Sequence, residues 1–488
     1  MSHNEIYKTN NASATFDHDQ GIEDKLGDDA IDVVEVNDVR EPGKPQVIKD
    51  AVWGEVNPDE GPNYRGLGFW MTFILATKTQ VGLGVLGLPA VFNTVGLIPG
   101  LFLVLGCAIL TGWCNYQLGK FKVNHPEAYS MGDVGYIFFG RTGQLIWGNI
   151  YAVTLILSAG SGMLALSVAL NAVTVHGTCT VVFVAVAAII VAILSSIQTL
   201  GKLGWVGFVG FTSIVLSLIT LAVSVGITDR PAAAPQTGPF EITVKLIAYP
   251  TFIQGVSAFT TVLWAYGGSN HFLSLISEMR QPERYQRAML YSQVVITVIY
   301  VVFGTVVYHF TGQYIASPAL GSAGPLMKRV CYGIALPGLM CGPPMALHLG
   351  VKYLFVQILG GTRHLAKHTT VHRVTWYGLA AGCASLSFLS AELIPVFNNF
   401  LSLLGALVVS LFCIMTTAMM WFYDNYKTPK RTRGWYIMVV VAGAAFILGV
   451  FTLGTGMYAS ITTIVKSVKA GNTTAIFSCK DNSGSVKH

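Results

Sequence analysis

Histidines at 364, 368 and 372 recur every four residues, a spacing that puts metal ligands on one face of a helix. They stand among Arg363, Lys367 and Arg373, so a cluster facing water or anionic headgroups is the expectation, and no metal centre. Gly82-x-Gly84-x-x-Gly87 has the letters of a dinucleotide fingerprint. No strand precedes it and it sits in an apolar run, so no nucleotide cofactor is implied. The apolar runs hold no H-E-x-x-H or G-x-S-x-G, and the chain holds no P-loop, which argues against intramembrane hydrolysis and ATP-driven pumping. The ionisable groups left with work to do are Lys78, His271 and His348, each inside an apolar run, where a charge is costly enough to imply function.

Composition says what must position these groups. Only 11% of the 488 residues are charged, while 52% are hydrophobic. Residues 1–65 carry 15 of the 24 acids and only 6 of the 30 bases, a local net charge of −9. The remaining body has too few charges to coat a water-facing globule, so a large soluble enzyme is excluded and an all-α polytopic membrane protein is expected. Its positive charges are scattered between apolar runs, with no basic face for nucleic acid. The acidic segment is too polar to bury a core and reads as a disordered cytosolic tail.

A spanning helix needs about 20 apolar residues. Eleven runs qualify, at about 67–96, 98–119, 144–174, 180–198, 203–227, 252–277, 289–311, 326–359, 374–395, 398–422 and 435–465. With the amino terminus in the cytosol, inner loops hold 14 Lys and Arg and outer loops four, the asymmetry of a positive-inside topology. The carboxyl-terminal stretch 466–488 then lies outside, where the sequon at Asn472 is in the right compartment for glycosylation. Most of the eight cysteines lie in apolar runs and act as small hydrophobes, but Cys179 and Cys331 fall near outer loops, where a disulfide between them could form.

Two spans are interrupted. The first reads Gly82-Leu83-Gly84-Val85-Leu86-Gly87-Leu88-Pro89, and the sixth reads Trp264-Ala265-Tyr266-Gly267-Gly268-Ser269. Irregular backbone at membrane depth persists only where it is buried in protein or lines a cavity. The breaks are five spans apart, so a five-span unit repeated once enters the membrane inverted, over about 67–227 and 252–422, with 435–465 as an extra helix. Gly160 and Gly162 in the third span need no such role, because small residues let helices approach. Free amides around Val85, Leu86 and Gly87, at a positive helix end, suit a carboxylate. Free carbonyls near Trp264, Ala265 and Tyr266 suit an ammonium. Together they fit a zwitterion, an α-amino acid, with neutral walls at Leu83, Val85, Trp264 and Tyr266.

The glycine-leucine-glycine-valine-leucine-glycine-leucine-proline run of residues 82–89, the eleven spans, the acidic tail and the broken sixth span resemble the amino acid/auxin permease family. Within it the chain resembles fungal N-system-type neutral amino-acid permeases. That resemblance implies a LeuT-like fold and proton-coupled import of aliphatic and aromatic amino acids. Sodium-coupled relatives carry what looks like an asparagine where this chain has Lys78; an ammonium there would repel Na⁺ and is a candidate carrier of the coupled proton. Lys78 lies roughly 16 Å into the first helix at ~1.5 Å per residue. His271 and His348 are the other coupling candidates. Glu278, beside Arg280, and Glu392 read as interfacial. Plasma membrane is the expected location, with a vacuolar exporter and an amino-acid sensor signalling through its tail as alternatives. No feature specifies an oligomeric state.

Overall fold

Apolar runs in lipid must satisfy every backbone N–H and C=O internally, which leaves the helix as the unit of construction. The computed structural model describes residues 48–50, 54–56, 66–197, 200–360, 362, 364, 369–394, 396–427, 431–469 and 477–485. A short antiparallel ribbon, β1 (Ile48–Asp50) with β2 (Gly54–Val56), lies within the acidic segment. The helices follow in order: α1 (Phe69–Gln80), α2 (Leu88–Val95), α3 (Leu97–Asn124), α4 (Met131–Thr174), α5 (Thr180–Ser195) and α6 (Leu200–Ile227). Then come α7 (Phe252–Ala265), α8 (Ser269–Ser277), α9 (Tyr285–Thr311), α10 (Pro325–Leu359) and α11 (Thr370–Leu393). The tenth span is α12 (Phe397–Leu404) and α13 (Thr416–Asn425), joined by a π-helical stretch Gly405–Met415; α14 (Arg433–Lys469) is the last.

Nine stretches among the described residues are long and apolar enough to cross a membrane. The other two expected spans are α5, 16 residues long, and the split sixth span, α7 and α8, of 14 and nine residues. One boundary differs substantially from expectation. α4 begins at Met131 rather than near 144, because a Ser130–Asp133 capping box starts a helix ahead of a kink at Gly140, whose φ is 65°. That leading piece is more polar than the span it precedes, so hydropathy alone does not register it.

Helices α4, α5, α10 and α11 pack on one another as one group, while α1, α2, α7 and α9 pack as another, with α6 touching α1, α9 and α10. Small residues set the first group's spacing. A Cβ built on Gly160 would lie 2.0 Å from the Ser390 hydroxyl, and one on Gly162 would lie 2.2 Å from Pro343. Cys179 is disulfide-bonded, but to Cys479 and not to Cys331, which is a buried free thiol in α10. The returning carboxyl-terminal segment brings Cys479 to the start of α5, a meeting that no local pattern announces.

Candidate functional site

α1 stops at Gln80 because the following residues cannot continue it. Val81 leaves helical geometry (ψ 85°), Gly82 turns back to donate to the Gln80 carbonyl at 2.9 Å, and a 3₁₀ turn at Gly84–Gly87 leads into α2, with Pro89 in its first turn. α7 likewise ends at Ala265, and α8 restarts at Ser269 after Gly267 and Gly268. The two breaks touch. A Cβ on Gly84 would lie 2.3 Å from the Ala265 Cα, so only glycine lets the two backbones approach this closely.

The freed backbone groups differ in part from expectation. The Leu86 amide donates to the Leu83 carbonyl at 3.2 Å and Gly87 is inside the 3₁₀ turn, so two of the three expected amides are engaged. The amides of Leu83, Gly84 and Val85 have no acceptor among the described residues. At the second break the Trp264 and Tyr266 carbonyls accept from Gly267 and Gly268, each at 2.9 Å, and the Ala265 carbonyl accepts from Tyr300 at 2.6 Å. The Trp264 carbonyl also accepts from the Tyr266 amide, while the Ala265 and Tyr266 carbonyls each keep a second lone pair.

A cavity opens beside the breaks. Its walls include Gly82, Leu83, Gly84, Trp264 and Gly267 from the expected set, together with Lys78 and His271. Leu75, Thr79 and Gln80 of α1, Ser158 of α4, Gly207 of α6 and, from α10, residues 338, 339, 341–343, 345 and 346 contribute the remainder. Val85, Leu86, Gly87, Ala265, Tyr266 and Gly268 do not line it; they are buried in the packing behind the breaks.

Lys78 is 7% exposed and has neither an ion-pair nor a hydrogen-bond partner among the described residues. Its Nζ lies near Gly82 and Gly342, and its chain runs past Gly210 and Cys341, so the ammonium sits between α1, α6 and α10. Gln80 is more deeply buried, at 2% exposure, and neither its Oε1 nor its Nε2 finds a partner. His271 also keeps an unpartnered Nδ1. Three buried polar groups therefore border one cavity with hydrogen-bonding capacity unspent, which is costly unless a ligand or water completes it.

His348 does not join them. It is packed away from the cavity, 3.3 Å from the Ser195 carbonyl and edge-on to Trp376. Glu278 is buried within the protein rather than exposed, 3.6 Å from Lys352, whose ammonium also lies over the Tyr129 ring. Glu392 is buried too, at 6% exposure. In the histidine repeat, His364 faces Thr369 and His372 faces the His364 carbonyl, while His368 and Asn472 lie outside the described residues. Among the described residues no group of His, Cys, Asp or Glu is arranged to hold a metal. Sequence reasoning overlooked Gln80 and Tyr300. A glutamine two residues before the first break glycine was a usable signal; a tyrosine in the middle of the seventh span was not.

A helical membrane protein whose first and sixth spans break beside a shared cavity has the architecture of transporters built as two five-span repeats. The solved structure of Mhp1, a nucleobase-cation-symport-1 family transporter in a closed conformation with bromovinylhydantoin bound, superposes with a TM-score of 0.51, covering 88% of this chain and 100% of that one. At 13% identity this likeness is one of fold, and the fold is the LeuT-like one. The chain belongs to the transmembrane amino acid transporter protein family, whose model matches residues 65–462. A transmembrane transporter of Gibberella moniliformis is 35% identical over 434 residues, covering 88% of this chain and 90% of the relative. An N amino acid transport system protein of Neurospora crassa is 28% identical over 422 residues, covering 85% and 89%.

Proposed function

We propose that this protein imports neutral α-amino acids together with protons and independently of sodium. The observation that carries the reading is the unpaired Lys78 ammonium beside the break of α1, in the wall of the same cavity as the free amides and the Gln80 carboxamide. The Leu83 and Gly84 amides in the cavity wall present donors to a substrate carboxylate, and the unspent Gln80 carboxamide oxygen in the same wall presents an acceptor to its ammonium. Leu83, Trp264, Leu339 and Met345 give a largely apolar wall, which favours aliphatic and aromatic side chains over charged ones. Protonated, Lys78 disfavours a bound Na⁺, and its ammonium offers an exchangeable proton in place of the metal ion. The bias of Lys and Arg toward one set of loops favours an amino terminus in the cytosol. The Cys179–Cys479 disulfide supports the same orientation, since such bonds form on the oxidising side of a membrane. On this reading the carrier sits in the plasma membrane, where an acid exterior would drive import with this topology.

The test is uptake into sealed liposomes of purified protein loaded at pH 7.5. Radiolabelled leucine and phenylalanine should accumulate at external pH 5.5, should not at pH 7.5, and should do so equally in sodium and choline. A protonophore should abolish accumulation. Sodium-stimulated uptake at constant pH would overturn the coupling, and specific binding without net entry would move the protein to a sensor role.

A further inference from the structure

In transporters with broken helices, carbonyl ends of the half-helices commonly coordinate the coupling cation. Here those ends are the Gln80 carbonyl of α1 and the Ala265 carbonyl of α7. Both point at one oxygen: the Tyr300 hydroxyl of α9 lies 2.8 Å from the first and 2.6 Å from the second. Tyr300 is fully buried, and its ring packs edge-on against Tyr266 in the second break, centroids 4.9 Å apart. One turn earlier on the same helix, Thr297 accepts from the Tyr266 hydroxyl at 3.3 Å. A single helix face thus holds both breaks.

A phenol has one proton to donate, and two converging carbonyls share it. We infer that Tyr300 is the positioning residue of the transport site: its O–H locks the two breaks together and supplies, with a neutral donor, the positive charge density that two facing carbonyls otherwise draw from a cation. This deepens the reading of a sodium-independent carrier, because it names the group that makes a cation unnecessary at the breaks. The two groups are separate in the fold: Lys78 lies between α1, α6 and α10, and Tyr300 lies on α9. Tyr300→Phe keeps the ring and its packing but leaves the Ala265 carbonyl without its donor and the Gln80 carbonyl with only the Gly82 amide, both converging on the space the hydroxyl filled. Such a pair takes up a small monovalent cation.

The experiment needs no substrate. Thermal midpoints of the full-length purified protein are measured in choline, K⁺, Na⁺ and Li⁺ chloride at equal ionic strength. The wild type should be indifferent to the cation. Tyr300→Phe should melt lower in choline and be raised by Na⁺ or Li⁺ by about 3 °C or more, as a ligand bound only by the folded state requires. Replacing Tyr300 with 4-aminophenylalanine, an N–H donor of the same reach, should restore cation indifference. A Tyr300→Phe midpoint equal to wild type in choline overturns the inference, as does a lowered midpoint that no cation raises. Should Tyr300→Phe not be recovered folded, the amino variant decides: a wild-type, cation-indifferent midpoint supports the donor role, and a lowered one contradicts it. Leucine exchange by the wild type is run in parallel and judges the amino-acid reading separately.

Discussion

Gly84 and Gly82 sit two residues apart in the same break and make opposite predictions. A Cβ on Gly84 meets the Ala265 backbone at 2.3 Å, while one on Gly82 finds its nearest atom at 3.8 Å. Overpacking of this kind costs roughly 1–3 kcal/mol, and a factor of ten is about 1.4 kcal/mol. Gly84→Ala should therefore cut leucine uptake by about tenfold or more in protein that still elutes as a monodisperse peak, and Gly82→Ala should stay within about twofold of wild type. Equal effects would mean that the approach of the two backbones is not what the glycine run is for. Gln80→Leu removes a carboxamide whose two ends are unspent in the protein. It should raise the thermal midpoint in the absence of substrate while weakening substrate binding, a split that a purely structural glutamine would not give. At this scale the sequence was partly legible. The glycines and the lysine announce themselves by being in the wrong place for a membrane helix. Which amides are free was not, because that depends on a 3₁₀ turn whose hydrogen bonds shift the open donors back to Leu83.

Elements meet where the breaks end. Leu67, just before α1, exchanges backbone hydrogen bonds with Glu278 and Arg280 at the end of α8, at 3.0 and 2.9 Å. Beside that ladder, Glu278 reaches across to Lys352 of α10. The ladder and ion pair close one end of the cavity's helices against the α4–α5–α10–α11 group. Removing one partner of a buried pair leaves the other charge uncompensated, at a cost of roughly 3–5 kcal/mol, whereas replacing both is close to neutral. Glu278→Gln should lower the thermal midpoint by several degrees, and Glu278→Gln/Lys352→Met should recover most of the loss. Additive effects in differential scanning fluorimetry would show that the two groups do not depend on each other. The eleven spans were legible because each had to be apolar for about 20 residues, and the broken first and sixth because Gly and Pro are conspicuous there. The Glu278–Lys352 contact was not, since the partners lie on different spans and only the packing of α8 on α10 brings them together.

The whole molecule is tied at its other end by the carboxyl-terminal segment, which crosses helices of the α4–α5–α10–α11 group. Beyond the Cys179–Cys479 bond, the Lys480 carbonyl accepts from Thr180, Asn482 bonds Asn171 and Ser167, and the Ser483 carbonyl accepts from Lys328. Phe477 packs near Phe388 of α11. A disulfide closing 300 residues of chain stabilises by roughly 2–5 kcal/mol. Cys479→Ser should lower the thermal midpoint by several degrees while leaving transport by folded protein intact, because among the described residues the partners of this segment, Asn171, Ser167, Thr180, Lys328 and Phe388, lie outside the cavity walls. A loss of transport at unchanged stability would place the segment in the transport cycle. Composition alone made the whole molecule legible as a polytopic membrane protein, yet it could not pair the cysteines, since pairing is set by where a distant tail returns. The central claim is that an amino acid and a proton cross together through the broken-helix cavity with Lys78 as the coupling charge. Its most direct test is the fluorescence of a pH dye trapped in sealed, sodium-free liposomes when leucine is added outside. The account predicts acidification of the lumen with wild-type protein and none with Lys78→Met, which should still exchange leucine. Leucine entry without acidification, or acidification undiminished in Lys78→Met, would contradict it.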